Sequence, residues 1–271
     1  NKVAYLHLTL LPYIKTAGEM KTKPTQHSVK EMRSIGIQPD ILVCRAEREL
    51  TQKEREKIGL FTNVKPQRVV SVADVDSIYK IPLVLAEQRV DGLVCDHFGI
   101  QGQDKEQGVD AWRNLVLREK SMVKGPKIII VGKYAKSKDA YKSLVEALKH
   151  ASIHIGCKAE VEVVDAERFT ADTVAEVCQG VDAILVAGGF GNRGIEGKIT
   201  AIQWARENRV PFLGICLGMQ LAVIEFCRHV LNLPGANSSE FAEHGKEPVI
   251  CLIEELQEDQ DLAAKMGGTM R

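Results

Sequence analysis

The sequence has no net charge, no paired cysteines and no membrane-length apolar run, and each absence removes a class of function. Its 36 Lys and Arg are matched by 36 Asp and Glu, so it lacks the bulk positive field that non-specific binding to nucleic acid or a membrane surface needs. Neither is expected as a partner, and any anion site must be local. The seven cysteines, at 44, 95, 157, 178, 216, 227 and 251, form no CxxC pair and no tight Cys/His cluster. That fits neither a disulfide framework nor a structural zinc site. A reducing, cytoplasmic setting is expected, with most thiols inert in the core. The longest apolar stretch near the start, residues 3–14, is broken by His7, Thr9 and Pro12 and falls short of the ~20 residues of a membrane span. It reads as a buried strand and not as a signal peptide. No initiator Met precedes it, and a fragment of a longer protein is the expectation.

What is present is ordinary for a globular chain: 271 residues, 45% apolar and 27% charged, or about two domains of ~150 residues. Strand-like runs at 3–10, 41–44, 68–72, 127–131, 159–164, 183–186 and 212–215 alternate with amphipathic helical patterns. This order implies an α/β class with parallel sheets. Ser28xxGlu31 predicts a helix that stops at Gly36, Thr51xxGlu54 predicts another, and Pro82 suits the first turn of a third. The pattern lapses in a Gly/Gln/Asp stretch at 98–108, and a polar helix around 112–119 follows before the next strand. The expected division is a first, incomplete domain at 1–98, a linker at 99–125 and a second domain at 126–271.

Three segments carry chemistry. In KTKPTQHS, Lys21 and Lys23 bring two ammonium groups to a helix start that also holds Thr22, Pro24, Thr25, Gln26, His27 and Ser28. Cations, hydroxyls and free helix N–H groups together suit a triphosphate; a solvated loop with an N-cap is the bland alternative. In GGFGNRGIEGK, Gly189, Gly191 and Gly194 match GxGxxG formally, but the next strand ends in Cys216 where a dinucleotide site needs an acid. A phosphate loop fails too, because Asn192 replaces its first Gly and Ile199 its Ser/Thr. What remains is a glycine cluster that lets backbone approach some other ligand.

The third segment, Gly214-Ile215-Cys216-Leu217-Gly218, is GxSxG with Cys for Ser, between a strand and an apolar helix at 219–231. The glycines permit the sharp turn that lifts a nucleophile above the sheet, and the helix N-terminus favours a thiolate. The N–H of Leu217 and one near Gly189 would face a developing oxyanion; a buried, inert Cys is the alternative. Only His229 and His244 follow Cys216. His229 lies about 20 Å along the helix behind the nucleophile, and His244 has no orienting acid. Both read as structural or solvated residues, so no base is evident.

KTKPTQHSVKE, DVDSIYKIP, VGKY, GGFGNRGIEGK, GICLGMQ, NSSEF and GGTMR, in this order along the whole chain, resemble the CTP synthase family. GICLGMQ with GGFG alone indicates only a class I glutamine amidotransferase; the first two segments narrow the resemblance. It implies two parallel-sheet domains, a partial P-loop-type amidoligase domain and a partial class I glutamine amidotransferase domain. It implies that ATP with Mg2+ activates UTP, that ammonia from L-glutamine displaces the phosphate to give CTP, that GTP activates and that CTP inhibits. Homotetramers, in some members filaments, are implied as well.

By resemblance, Lys21, Thr22, Lys23, Pro24, Thr25 and Gln26, with Lys57, match UTP/CTP-binding positions, and Ala73, Asp74 and Val75 an ATP-binding segment. Cys216 matches the nucleophile, Gly189 and Leu217 the oxyanion region, and Leu217, Gly218, Met219 and Gln220 with Glu240 the glutamine-binding positions. Lys133, Tyr134 and Arg271 fall near positions of GTP response. Ala187 replaces the usual Pro before GlyGly. The family's phosphate loop and magnesium carboxylates have no match, nor does its HPE segment with the glutaminase His and Glu. No metal ligand is expected within the chain, and by itself it is expected to catalyse neither reaction. The alternatives are another class I glutamine amidotransferase and a non-catalytic assembly module with a dead elbow.

Overall fold

Three short parallel strands build the first sheet: β1 (Leu6–Leu11) pairs with β4 (Ile41–Ala46), which pairs with β5 (Val69–Ala73). The computed structural model describes residues 2–16, 18–101, 106–134, 137, 139–241 and 247–251, and its contacts group into two units, Asn1–Lys120 and Ser121–Arg271. In the first unit, β4 and β5 are apolar on both faces, as parallel strands covered on both sides must be. Their side chains meet in two clusters, one around Leu42, Cys44 and Ile58, the other around Ile41, Val70 and Val90. β1 begins three residues later than the apolar run suggests. It alternates: Thr9 and Leu11 turn inward, while Leu6, Leu8 and Leu10 are exposed. A small antiparallel hairpin, β2 (Tyr13–Ile14) with β3 (Glu19–Met20), links β1 to the first helix.

That helix, α1 (Lys23–Ser34), starts five residues before Ser28. Thr22 is its N-cap and Pro24 lies in its first turn, where proline's fixed φ is already helical and its missing N–H costs nothing. Ser28 is therefore not a cap; its hydroxyl sits 2.7 Å from Nε2 of His7. The second expected box is present. α2 (Gln52–Thr62) begins at Thr51, whose hydroxyl accepts from the Glu54 N–H at 3.3 Å while the Glu54 carboxylate accepts from the Thr51 N–H at 2.8 Å. Arg48 also binds Glu54 at 2.8 Å, and that bond above all holds the Glu54 carboxyl below the usual range. α3 (Ile81–Glu87), with Pro82 in its first turn, and α4 (Val90–Phe98) follow β5. The stretch expected to connect domains carries α5 (Glu106–Ser121), whose Gly108, Val109 and Trp112 line a shallow apolar cleft with Pro82, Leu85 and Val90.

The second unit is a four-stranded parallel sheet in the order β7-β6-β8-β9, comprising β6 (Val123–Gly132), β7 (Cys157–Asp165), β8 (Ala183–Val186) and β9 (Phe212–Gly214). The interleaved helices are α6 (Lys142–Ile155), the one-turn α7 (Val174–Val177), α8 (Ile195–Glu207) and α9 (Leu217–His229). Ile129, Val131, Ile184 and Val186 meet α8 and α9 through Ile195, Ile199, Ile202, Leu221 and Ile224. α8 and α9 are also tied by a buried carboxylate: Glu225 accepts from Nε of Arg206 at 3.1 Å and from Nη2 at 2.9 Å. A parallel pair, β10 (Ala236–Ser238) with β11 (Glu247–Ile250), completes the described residues. The α/β class with two parallel sheets holds throughout.

Because the α2 cap satisfies N–H groups at both ends of the box, Thr51→Ala is expected to cost about 1 kcal/mol. A urea titration followed by far-UV circular dichroism measures it; an unchanged midpoint would show that the box contributes nothing.

Candidate functional site

Parallel strands direct their carboxyl ends to one edge of a sheet, where open α/β folds gather ligands. In the first unit, Leu11, Ala46 and Ala73 stand in register at that edge, about 10 Å from first to last. Ala73, Asp74 and Val75 leave β5 there, and Lys21 to Gln26 run from the hairpin into α1 just beyond β1. Asp74 donates its N–H to Ala46 O at 2.9 Å, and its carboxylate accepts from Nε of Arg45 at 3.3 Å. Lys21 pairs with Glu19, and that contact first, with Lys57 adding a smaller pull, lowers the Glu19 pKa. Lys21 and Lys57 thus share one acidic neighbour. Lys23 is exposed at the helix start. Gln26 donates to Thr22 Oγ1 at 3.2 Å, steadying the cap. Thr25 is different, because its hydroxyl is buried and donates to Thr9 Oγ1 at 3.1 Å. It packs α1 on β1 and does not face the edge.

In the second unit the elbow has the geometry its glycines permit. Cys216 is exposed, with φ 53° and ψ −110°, a conformation that costs a non-glycine residue about 1–3 kcal/mol and recurs at functional sites. The turn is held by Gly218 N–H to Ile215 O at 2.9 Å and Met219 N–H to Cys216 O at 3.0 Å. Two glycines are required by contact. A Cβ on Gly214 would lie 2.6 Å from Gly218 C, and one on Gly218 would lie 2.1 Å from Val186 O. Leu217 is the first residue of α9, so helix geometry leaves its N–H without an intrahelical acceptor. Gly188 and Gly189 follow β8 beside the elbow; a Cβ on Gly188 would stand 3.4 Å from Cys216 Cβ. Glu240 reaches the same loop across 49 residues of sequence, accepting from the Gly191 N–H at 3.1 Å. Met219 is exposed and Gln220 half-buried on the first turn of α9.

Two lysines support this loop, and sequence reasoning gave neither that role. Lys133, weighed only for GTP response, is buried and donates Nζ to Phe190 O at 2.7 Å and to Gly191 O. Burial pulls its pKa down and Arg193 adds to this, while Glu240 opposes. Arg193 donates to Lys133 O and lies 5.3 Å from the Tyr134 ring centroid. Tyr134 and Arg193 join Ser137, Asp165 and Glu167 around a cleft of about 250 Å³. Lys198 is fully buried and donates to Ala187 O at 2.6 Å. Burial pushes its pKa down to about 8, with Lys133 pushing the same way and Cys216 opposing. Its only sequence signal was its place in the glycine-rich segment. His229 has Nδ1 3.2 Å from Glu225 Oε1, which supports the reading of a structural residue. His244 and Arg271 lie outside the described residues.

Among the described residues no three His, Cys, Asp or Glu side chains gather as a metal-holding group, and none of the described helices is long and apolar enough to cross a membrane.

Comparison with known proteins gives two family matches, "CTP synthase N-terminus" over residues 1–100 and "Glutamine amidotransferase class-I" over residues 137–265. A CTP synthase of Geobacillus kaustophilus (strain HTA426) is 51% identical over 271 residues, which is 100% of this chain and 50% of that protein. One of Bacillus cytotoxicus is 51% identical over the same span and share. The chain spans about half the length of these curated relatives. Among solved structures, the glutaminase domain of Trypanosoma brucei CTPS with bound acivicin is 38% identical over 48% of this chain and 51% of that one, with a TM-score of 0.46.

Gly218→Ala drives a methyl into the Val186 carbonyl and is expected to cost about 3 kcal/mol or more; a thermal melt like that of the unaltered chain would contradict this. Lys198 gives a second prediction, in pH. Its pKa is about 8 in the fold against 10.5 when free, so between these values the unfolded chain holds the extra proton and rising pH favours the folded state. The stability of the unaltered chain relative to Lys198→Met should therefore rise from about pH 8 to pH 10.5, by on the order of 2 kcal/mol. Parallel pH curves for the two chains would show that the ammonium titrates as if free.

Proposed function

The chain belongs to the CTP synthase family, and on that footing we propose that it contributes to the ATP-dependent amination of UTP to CTP with ammonia drawn from glutamine. The observation that carries the reading is the strained, exposed Cys216 on its elbow, beside the Gly188–Gly189 turn of the loop that Glu240 reaches. In this reading the Cys216 thiolate attacks the amide carbon of glutamine. The N–H groups of Leu217 and the Gly189 region receive the oxyanion. The amide nitrogen takes up a proton and leaves as ammonia, and water then hydrolyses the glutamyl thioester, releasing glutamate and restoring the Cys216 thiol. Leu217, Gly218, Met219 and Gln220 line the glutamine site, whose ammonium group Glu240 suits as a carboxylate.

At the first sheet's edge, Lys21, Thr22, Lys23, Pro24 and Gln26 with Lys57 would hold the triphosphate of UTP, or of CTP as inhibitor. Thr25 would support that segment from beneath. Ala73 would contribute backbone, with Asp74 and Val75 beside it, toward ATP. Mg2+ would accompany ATP, but the described residues offer it no donor set, so no step here runs through it. We place the synthase portion at 1–98, a linker at 99–125 and the amidotransferase portion at 126–271. GTP as activator, with Lys133, Tyr134 and Arg271 near its site, a homotetramer and a cytoplasmic setting complete the proposal. The chain alone should release no ammonia from glutamine, because it has no match to the family's HPE segment with the glutaminase His and Glu, and His229 is turned to Glu225.

Two measurements test this. UTP should slow amine labelling of Lys21, Lys23 and Lys57 several-fold, read by peptide mass spectrometry, while the exposed Lys158 labels as before; equal labelling with and without UTP would point to another amidotransferase. A glutamine-mimicking diazo ketone should modify Cys216. No adduct there would favour the assembly module.

A further inference from the structure

The glycine loop between β8 and α8 is wrapped around one side chain, Lys133. This residue follows the end of β6, is only 4% exposed, and has its own backbone anchored. Its N–H donates to Tyr141 Oη at 2.7 Å, and its carbonyl accepts from Arg193. Gly132 before it leaves the space that the Tyr141 ring fills. From this base the lysine stem runs along the loop's backbone. A Cβ on Gly194 would have Lys133 Cγ at 3.9 Å, and one on Gly189 would have Lys133 Cε at 3.7 Å and Leu217 Cδ2 at 3.8 Å. The ammonium ends on Phe190 O at 2.7 Å and on Gly191 O. Glu240 holds the same peptide by its other polar group, Oε1 accepting from the Gly191 N–H at 3.1 Å. In a trans peptide the C=O and N–H point in opposite directions, and no cis bond occurs among the described residues. The Phe190–Gly191 peptide is therefore gripped from two sides, by a cation on its oxygen and an anion on its N–H.

The loop cannot supply this grip itself. Gly191 has φ 72°, and a glycine there leaves both orientations of the preceding peptide sterically open. A flipped peptide would turn Phe190 O toward the carboxylate and the Gly191 N–H toward the ammonium, exchanging two charge-assisted hydrogen bonds for two repulsions. Resting on the reading of Cys216 as nucleophile, we propose that Lys133 is a positioning residue which, with Glu240, locks this peptide in one orientation and so holds Gly189 against Leu217 for recognition of an amide at the elbow. Glu240 then serves twice, with Oε1 on the loop and Oε2 toward the ligand's ammonium. Lys133 touches no ligand and moves no proton; it acts through the loop.

The test compares two reagents on Cys216 by peptide mass spectrometry, with circular dichroism as the check on folding. Iodoacetamide needs only the thiolate, whereas the glutamine-mimicking diazo ketone must also be seated by the loop. Lys133→Met keeps the stem and loses the donors. In it the ratio of the diazo-ketone rate to the iodoacetamide rate should fall about tenfold. An unchanged ratio in the folded variant, even where both rates fall together as for a merely structural lysine, overturns the proposal and leaves the nucleophile standing. If the diazo ketone spares Cys216 in the unaltered chain, the nucleophile reading itself fails and the proposal falls with it. Should Lys133→Met not fold, the other grip decides. Glu240→Gln and Glu240→Ala both lose the charge toward the ligand's ammonium, but only Gln keeps an acceptor for the Gly191 N–H. The Ala variant should exchange its Gly191 amide hydrogen about tenfold faster than the Gln variant, read by NMR against the Gly218 amide. It should also take up the diazo ketone several-fold more slowly. Equal exchange or equal labelling in the two variants overturns the proposal.

Discussion

Everything at the elbow depends on how closely α9 approaches the end of β8. Gly218 rests on the Val186 carbonyl with no room for a methyl group, and Gly214 rests on Gly218 in the same way. With side chains at either position the helix would stand off from the sheet and the turn would open. Held this close, residue 216 has nowhere to go but a left-handed φ. Cys216 therefore projects from the sheet edge at a backbone cost that core packing elsewhere must offset. The packing available is substantial: Leu217, Leu221 and Ile224 on α9 are fully buried against Val186, Ile184 and α8. The strained residue is attached to the best-packed side of the unit.

The loop facing the elbow has no such core of its own. Residues 188–194 hold four glycines, which give it freedom and no hydrophobic anchor. Polar groups supply the fixation: Lys133 on Phe190 and Gly191, Glu240 on the Gly191 N–H, and Arg193 folded back on Lys133 and Tyr134. Charges buried for this purpose have their pKa values pulled toward neutrality, and both Lys133 and Lys198 shift downward. Directional bonds from charged groups hold backbone atoms more narrowly than apolar contacts do, as the oxyanion role proposed for this loop would require.

How far the sequence reveals this follows from the range of each interaction. The Thr51 box and the GICLG elbow are local patterns, and the strands β4, β5 and β8 are short apolar runs between turns, so all were legible. Ser28 misled because its spacing to Glu31 is that of a cap, while Pro24 four residues earlier starts the helix and His7 claims the hydroxyl. Thr25 looked like its neighbours until packing on Thr9 turned it inward. The hairpin β2–β3 has two residues per strand, too few for alternation to show. Lys198 was hidden for the opposite reason. A lysine on a helix reads as solvated, and only the fold of α8 beneath β8 shows that it is buried.

The chemistry argued for Cys216 also sets what the described residues must lack. A thiolate can attack an amide without a base, but the departing nitrogen must take up a proton and the thioester must meet an activated water. Lys198 cannot do either, since its hydrogen bond points away from solvent to Ala187 O. Lys133 is committed to two carbonyls of the loop. His229 is engaged by Glu225, whose other partner, Arg206, fixes it to α8. Freeing that imidazole would leave a buried carboxylate with one fewer partner and would still leave it some 20 Å along α9 from the elbow. Lys198, Lys133 and His229, as they are held here, are therefore not placed to carry that proton. On the reading proposed for Cys216, holding an amide at the elbow and turning it over are thus separable demands on the structure.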